Sequence, residues 1–245
     1  MIPASTRYQQ VLERIRGAEL RHGSTPGSVD LLAVSKTKPA AAILELAQQG
    51  QRAFGENYVQ EALPKITQLA SHGLEWHFIG PLQANKTRAV AEHFAWCHSL
   101  DRERIALRLN AQRPEPAPPL NVLIEVNADA ELSKSGVAPA DVPALAAIVT
   151  QLPRLRLRGL MALPAPVADV EAQRQVFRRV RSLFETLNAA GLDLDTLSIG
   201  TSADFEAAIA EGATMVRIGT ALFGPRELTP SLSLSSLPLT GGGLR

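Results

Sequence analysis

The sequence predicts an α/β fold, a single (βα)8 barrel of the TIM type with one extra helix ahead of the first strand. Three observations carry this expectation. Eight short strand-like runs each precede a helical stretch within 245 residues, an order that fits a closed barrel better than an open doubly wound sheet. The first run, residues 31–35, is apolar from Leu31 to Val34 and continuous rather than alternating, as befits a parallel strand covered by helices. No glycine-rich dinucleotide fingerprint follows that run, which weighs against a Rossmann sheet.

Composition narrows the class further. With 45% hydrophobic residues but only 4% aromatic ones, the core must be filled by aliphatic side chains and alanine. A formal net charge of +1 provides no broad basic field, so neither nucleic acid nor an anionic membrane is an expected partner. No apolar run approaches the roughly eighteen residues of a membrane span, and the amino terminus lacks the apolar centre of a signal peptide. The single cysteine, Cys97, excludes an intrachain disulfide and cysteine-rich metal sites and fits a reducing cytoplasm, where the protein is expected to reside.

The elements follow in order. Residues 6–22 mix Arg7, Arg14, Arg16 and Arg21 with Val11, Leu12, Ile15 and Leu20, a leading helix with one apolar stripe. Strand one (31–35) is followed by a helix over 40–49 that Gly50 closes. Strand two (52–55) leads through Glu56-Asn57-Tyr58 into a helix ending near 69. Strand three (75–80), a helix over 81–92, strand four (94–98) and a charged helix over 101–112 come next. The proline cluster at 114–119 is a stiff surface connection, since strand five (120–127) follows at once. A polar loop at 128–136 precedes a helix over 140–152. Strand six (157–162), an arginine-rich helix over 170–190, strand seven (196–200), a helix over 202–211 and strand eight (214–218) complete the set. Residues 1–228 are read as the barrel domain. The Pro-, Ser-, Leu- and Gly-rich residues 229–245 are expected to form a disordered tail.

Lys36 stands at the carboxyl end of strand one, where barrels place their chemistry because the loops there vary over a rigid sheet. Five lysines against twenty arginines make lysine a scarce choice in this chain. A desolvated lysine amine can condense with an aldehyde or ketone, so Lys36 is a candidate Schiff-base residue as well as a lysine that snorkels to solvent. A phosphate site is often built after strands seven and eight. Here Ser198-Ile199-Gly200-Thr201-Ser202 supplies hydroxyls, a glycine and a helix start, and Arg217-Ile218-Gly219-Thr220 supplies a guanidinium, a glycine and a hydroxyl. Taken singly, Ser202 reads equally as a helix cap and Gly219 as a turn residue. A lysine on strand one with a phosphate site at strands seven and eight describes the anchors of pyridoxal 5′-phosphate, and equally those of a sugar-phosphate aldolase.

The run of motifs resembles the pyridoxal phosphate homeostasis protein family, also called the proline synthase co-transcribed family. The resemblance covers about residues 31–224. It rests on Ala-Val-Ser-Lys-Thr-Lys at 33–38, Phe-Gly-Glu-Asn-Tyr at 54–58, Trp-His-Phe-Ile-Gly-Pro-Leu-Gln at 76–83 and Asn-Lys at 85–86. Ser-Lys-Ser-Gly at 133–136, Arg-Gly-Leu-Met at 158–161 and Met-Val-Arg-Ile-Gly-Thr at 215–220 continue it. The resemblance implies the barrel of fold-type III pyridoxal phosphate proteins, like the amino-terminal domain of alanine racemase, with the cofactor on Lys36 as an internal aldimine. It further implies that Ser198, Gly200, Ser202, Arg217, Gly219 and Thr220 grip the phosphate and that Asn57 touches the ring or its phenolic oxygen. Thr201 stands where the family more usually has methionine, adding a hydroxyl beside the phosphate, and Glu125 stands where glutamine is expected, placing a carboxylate near the barrel mouth.

The resemblance implies a pyridoxal phosphate carrier in vitamin B6 homeostasis rather than an enzyme with established turnover, a monomer whose partners are the cofactor and the pyridoxal-phosphate-dependent apoenzymes that receive it. Racemisation needs a second acid or base on the opposite ring face, and the only tyrosines, Tyr8 and Tyr58, are poorly placed for it. His77 and His98 are read as hydrogen-bonded structural residues rather than bases, Lys38 and Lys65 as surface residues. Lys134 is a solvated loop lysine or a second contact for the cofactor or an anion. Residual racemase activity and a Schiff-base aldolase are the competing readings.

Overall fold

The computed structural model describes residues 3–129 and 135–224. Its centre is a closed parallel barrel in strand order β1-β2-β3-β4-β5-β6-β7-β8. The strands are β1 (Asp30–Val34), β2 (Ala53–Glu56), β3 (Glu75–Phe78), β4 (Trp96–Leu100), β5 (Leu120–Glu125), β6 (Leu155–Met161), β7 (Thr196–Ser198) and β8 (Met215–Ile218). The closing pair sets Asp30 beside Met215 and Ala33 beside Ile218.

Helices cover the outside: α1 (Ala4–Arg21), α2 (Ala40–Gln48), α3 (Val59–Gln68), α4 (Thr87–His93), α5 (Glu103–Gln112), α6 (Val142–Thr150), α7 (Val170–Ala189), α8 (Phe205–Ala210) and α9 (Thr220–Phe223). The main core lies between strands and helices. Leu31, Ala33, Trp76, Phe78, Val122, Ile124, Leu197, Val216 and Ile218 face it, because successive side chains in a strand point to opposite faces. A second, small apolar cluster of Trp96, Leu123 and Met161 belongs to the opposite strand faces and lies in the barrel's interior. The remaining buried groups on those faces include His77, His98, Ser198 and Arg217, all at most 5% exposed.

The extra helix has a specific seat. Its apolar stripe of Val11, Ile15 and Ala18 is buried, and α1 packs against α8 and α9. Arg14 and Arg21 both reach Glu206 of α8, at 2.9 Å each. Fully buried Glu19 accepts the Val29 and Gly27 backbone N–H groups at 2.7 and 3.0 Å and pairs with Arg16, so it folds the α1–β1 connection back onto the sheet.

Most expected elements appear within a residue or two of their boundaries, and two helices differ more. The helix expected over 81–92 begins only at Thr87. Residues 79–86 instead form a non-helical connection, in which Gly80 lies so close to the Asn57 backbone that a Cβ there would sit 2.2 Å from the Asn57 carbonyl oxygen. The helix expected from 202 begins at Phe205, because Asp204 turns back to accept the Thr201 N–H at 2.6 Å and the Thr201 hydroxyl at 2.9 Å. Strand four runs two residues further along the chain than expected, over Trp96–Leu100. The tail expected at 229–245 lies outside the described residues.

Candidate functional site

A cavity of about 970 Å³ opens at the carboxyl ends of the strands. Its wall includes Lys36, Asn57, Glu125, Thr201, Ser202, Arg217, Gly219 and Thr220, drawn from the ends of β1, β2, β5, β7 and β8. Closure of the barrel brings these eight together from a span of 185 positions in the chain (220 − 36 + 1). Ser198 and Gly200 lie beneath the wall, both fully or nearly fully buried. Lys134 lies outside the described residues, although its neighbour Ser135 lines the cavity.

The segment after Lys36 is under conformational constraint. Thr37 has φ +63°, a left-handed conformation that a β-branched residue adopts only when its surroundings hold it there. Here the Thr37 N–H donates to Glu61 at 3.0 Å, and the Lys38 N–H donates back to the Ser35 carbonyl at 3.0 Å. Lys38 is only half-buried but lines the cavity, so it is not simply the surface residue expected from sequence.

Lys65 departs further from its expected surface position. Its side chain is 11% exposed, and its ammonium donates to Glu56 at 2.8 Å and to the Ser35 carbonyl at 3.1 Å. The Ser35 hydroxyl donates to the same Glu56 oxygen at 2.6 Å. Burial pushes the Glu56 carboxyl upward, while the bonds from Lys65 and Ser35 hold it down. Its second oxygen, Oε2, has no hydrogen-bond partner among the described residues. This cluster fixes the carboxyl end of β1 from below. No local pattern advertises it, because Ser35, Glu56 and Lys65 meet only when α3 packs over β1 and β2.

At the two loops expected to grip a phosphate, α8 has six residues, shorter than the helix expected over 202–211, and α9 has four. The loops contribute hydroxyls, backbone and a guanidinium. Gly200 is required by conformation as well as by space: its φ is +91°, and a Cβ would stand 2.6 Å from that of Ala208. The Ala221 N–H donates to the Ser202 hydroxyl at 3.4 Å, tying the two loops together. Ser202 therefore does not cap α8.

Arg217 sits in the cavity floor rather than in a loop. Its guanidinium donates to the Ser198 carbonyl at 2.6 Å, the Ser198 hydroxyl at 2.8 Å and the Ala162 carbonyl at 2.9 Å. Burial lowers its pKa to about 10, opposed by the charges of Asp204 and Glu125, so it remains a cation at neutral pH.

Glu125 is the unusual acid of this wall. Burial, reinforced by the charge of Asp101 and opposed by Arg217, pushes its carboxyl from 4.5 to about 7. The folded chain therefore binds this proton more tightly than the unfolded chain. Stability from this group is fully present below pH 4.5 and is lost as pH rises through 7. Glu125→Gln is expected to flatten that decline, with a gain on the order of 2 kcal/mol at pH 8 and little change at pH 4.5, after allowance for partial solvent screening. Urea unfolding midpoints at the two pH values check this.

Sequence reasoning overlooked Ile79, Pro81, Leu163, Pro164, Ala165 and Pro166, which form the apolar part of the wall. The Leu-Pro-Ala-Pro string after β6 was a usable signal, since two prolines stiffen a loop at the end of a barrel strand.

Residues 14–227 match the family described as alanine racemase, N-terminal domain. The pyridoxal phosphate homeostasis protein of Pseudomonas aeruginosa PAO1 is 61% identical over 218 residues, covering 89% of this chain and 94% of that one. The protein of the same name from Escherichia coli K12 is 58% identical over 221 residues, covering 89% and 94%. The structure of PipY from Synechococcus elongatus PCC7942 with PLP bound superposes with a TM-score of 0.75 at 40% identity, covering 85% of this chain and 98% of PipY. A racemase-type barrel with Lys36 at its mouth, and identity at this level over nearly the whole length of those relatives, place this chain in the pyridoxal phosphate homeostasis protein family.

Proposed function

We propose that the protein binds pyridoxal 5′-phosphate and serves intracellular vitamin B6 homeostasis as a carrier of the cofactor, affecting its supply and with it amino-acid metabolism. The observation that carries this reading is the cavity that joins Lys36 to the two loops after β7 and β8. Pyridoxal phosphate requires an amine for its aldehyde, polar partners for its ring and donors for its phosphate. The wall offers Lys36 for the first. Asn57, whose buried Oδ1 has no partner among the described residues, suits the second. Ser202, Gly219 and Thr220 suit the third, with Ser198 and Gly200 supporting them from below and Arg217 adding positive charge at the floor, while Thr201, whose N–H and hydroxyl both donate to Asp204, shapes the loop beside them.

When bound, the cofactor supplies a reactive aldehyde, which the protein holds reversibly through a lysine and so can buffer or deliver. Lys36 binds it covalently, the loops orient it through its phosphate, and the Leu163-Pro164-Ala165-Pro166 segment shields one side from water. No turnover is part of this reading. Apoenzymes that use the cofactor are its recipients, and Lys134, outside the described residues, is read first as a solvated loop lysine and second as a further contact for the cofactor or another anion. The reading also takes the protein as a cytoplasmic monomer; the single thiol of Cys97, buried and pushed by burial up to about 11, is not available to link two copies through a disulfide. Among the described residues no helix is long and apolar enough to cross a membrane.

Titration with pyridoxal phosphate, borohydride reduction and peptide mapping test the assignment. A near-visible absorption band with the reduced adduct on Lys36 is expected. An adduct mainly on Lys38 or Lys134, or no band at all, overturns it. Borohydride trapping of a sugar phosphate on Lys36 without pyridoxal phosphate would restore the aldolase reading.

A further inference from the structure

A continuous hydrogen-bond chain crosses the barrel interior from its amino-terminal end to the cavity floor. It begins at Glu75, the first residue of β3, whose side chain is 48% exposed. Glu75 Oε1 lies 2.8 Å from His77 Nε2, and His77 Nδ1 lies 2.9 Å from His98 Nε2. His98 Nδ1 lies 3.3 Å from the Ser198 hydroxyl, which lies 2.8 Å from the Arg217 guanidinium on the cavity. Both imidazoles are fully buried, and β4 and β7 bring His98 and Ser198 together across 100 positions of chain.

The direction of every bond follows from the two ends. A guanidinium can only donate and a carboxylate can only accept. Burial lowers both histidines, His98 well below the ordinary value, so each is neutral and carries one N–H. Glu75 is held low chiefly by its bond with His77, so it is the acceptor. His77 then donates from Nε2, and its bare Nδ1 accepts from His98 Nε2. The bare Nδ1 of His98 in turn accepts from the Ser198 hydroxyl, leaving that oxygen's lone pairs to accept from Arg217. All four bonds point the same way.

The surroundings favour this order. Trp96 stacks on His77 with ring centroids 5.2 Å apart and an interplanar angle of 7°. Arg158 lies over the other ring system, 4.6 Å from the Trp96 centroid, and its charge favours the ionised Glu75. Asp30 is the other acid near His77 and Glu75, and Arg217 is the cation facing His98.

We infer that Glu75, His77 and His98 are positioning residues for the cofactor cavity, a directed relay that fixes the Ser198 hydroxyl and through it the Arg217 guanidinium at the cavity floor. This rests on the reading of the cavity as a pyridoxal phosphate site. The relay gives the buried histidines a role beyond filling the interior, and it lets a residue at the far end of the barrel act on the ligand.

Because a buried histidine variant risks misfolding, the test uses Glu75. Imidazole nitrogen NMR on the ligand-free protein is expected to show both His77 and His98 protonated at Nε2. Glu75→Ala is expected to mix the tautomers of His98, to weaken pyridoxal phosphate binding about fivefold, the weight of one hydrogen bond, and to shift the band of the bound cofactor. Glu75→Gln, which still offers an acceptor oxygen, is expected to restore all three. An Nδ1-protonated His98 in the unaltered protein overturns the relay. Unchanged affinity and band in Glu75→Ala overturn the positioning role, whether or not the tautomers or the melting temperature move. If the unaltered protein binds no pyridoxal phosphate, the cofactor reading and the positioning role fall, while the tautomers measured without ligand still decide whether the relay exists.

Discussion

The Lys36→Ala protein is expected to fold with its stability within about 0.5 kcal/mol of the parent and to lose the absorption band and the borohydride adduct entirely. Lys36 is only partly buried, and the side chains that secure the strand end are those of Ser35, Glu56 and Lys65. Removing it therefore takes little from the packing. What it removes is the amine, and none of the other four lysines replaces it in the strand-end geometry that Thr37 enforces with its φ of +63°. The loops after β7 and β8 are intact in this variant, so pyridoxal phosphate should still bind weakly and without covalent linkage. Equilibrium dialysis separates that residual binding from retention through gel filtration, which should be lost. If the variant keeps the band, with an adduct on Lys38, the cavity is right and the lysine wrong.

Lys65→Met carries the second large effect, this time on stability. Glu56 is fully buried, and its pairing with Lys65 at 2.8 Å offsets the cost of taking a carboxylate out of water. Breaking a buried pair by removing one partner costs about 3–5 kcal/mol, because the other charge is left uncompensated. Here the lower end is expected, about 3 kcal/mol, since Ser35 still donates to the carboxylate and Glu56 can take up a proton. The sign of the pH dependence follows. Without Lys65 the folded-state carboxyl, already raised by burial, rises further, so the stability of the variant should fall as pH increases from about 5 to 8. Adding Glu56→Gln should recover most of the loss and flatten the pH profile, because a neutral amide needs no counter-charge and can still accept from Ser35. Urea unfolding of the two single variants and the double variant measures the coupling. An additive double variant would show that the pair contributes nothing.

Lys65 also bears on the strand end that carries Lys36. Its ammonium also holds the Ser35 carbonyl, one residue before Lys36. Lys65→Met should thus loosen the strand end as well as the fold.

The order of the eight strands, the extra helix and the place of Lys36 after β1 could be read from the chain alone. These rest on local features: apolar runs, helix stops, glycine and proline positions, and the rule that barrel chemistry sits at the carboxyl ends of strands. Gly200 and Gly219 were likewise visible as points where the backbone must turn sharply or approach closely. Lys65 was misjudged because a single lysine on an amphipathic helix looks the same whether it faces water or a buried glutamate. Its partner was decided by how α3 lies over β1 and β2. The helix expected from Ser202 was shortened by one side chain, Asp204, turning back onto Thr201. The relay was beyond reach for a different reason. Strand alternation shows that Glu75 and His77 share a face, and that His98 lies on one face of β4. Which strands meet across the interior depends on the stagger that closes the barrel, a property of all eight strands together. Local patterning therefore determined the elements and the place of Lys36 at the carboxyl end of β1. Closure of the sheet decided which buried polar groups found one another, and so which residues support the cavity from beneath.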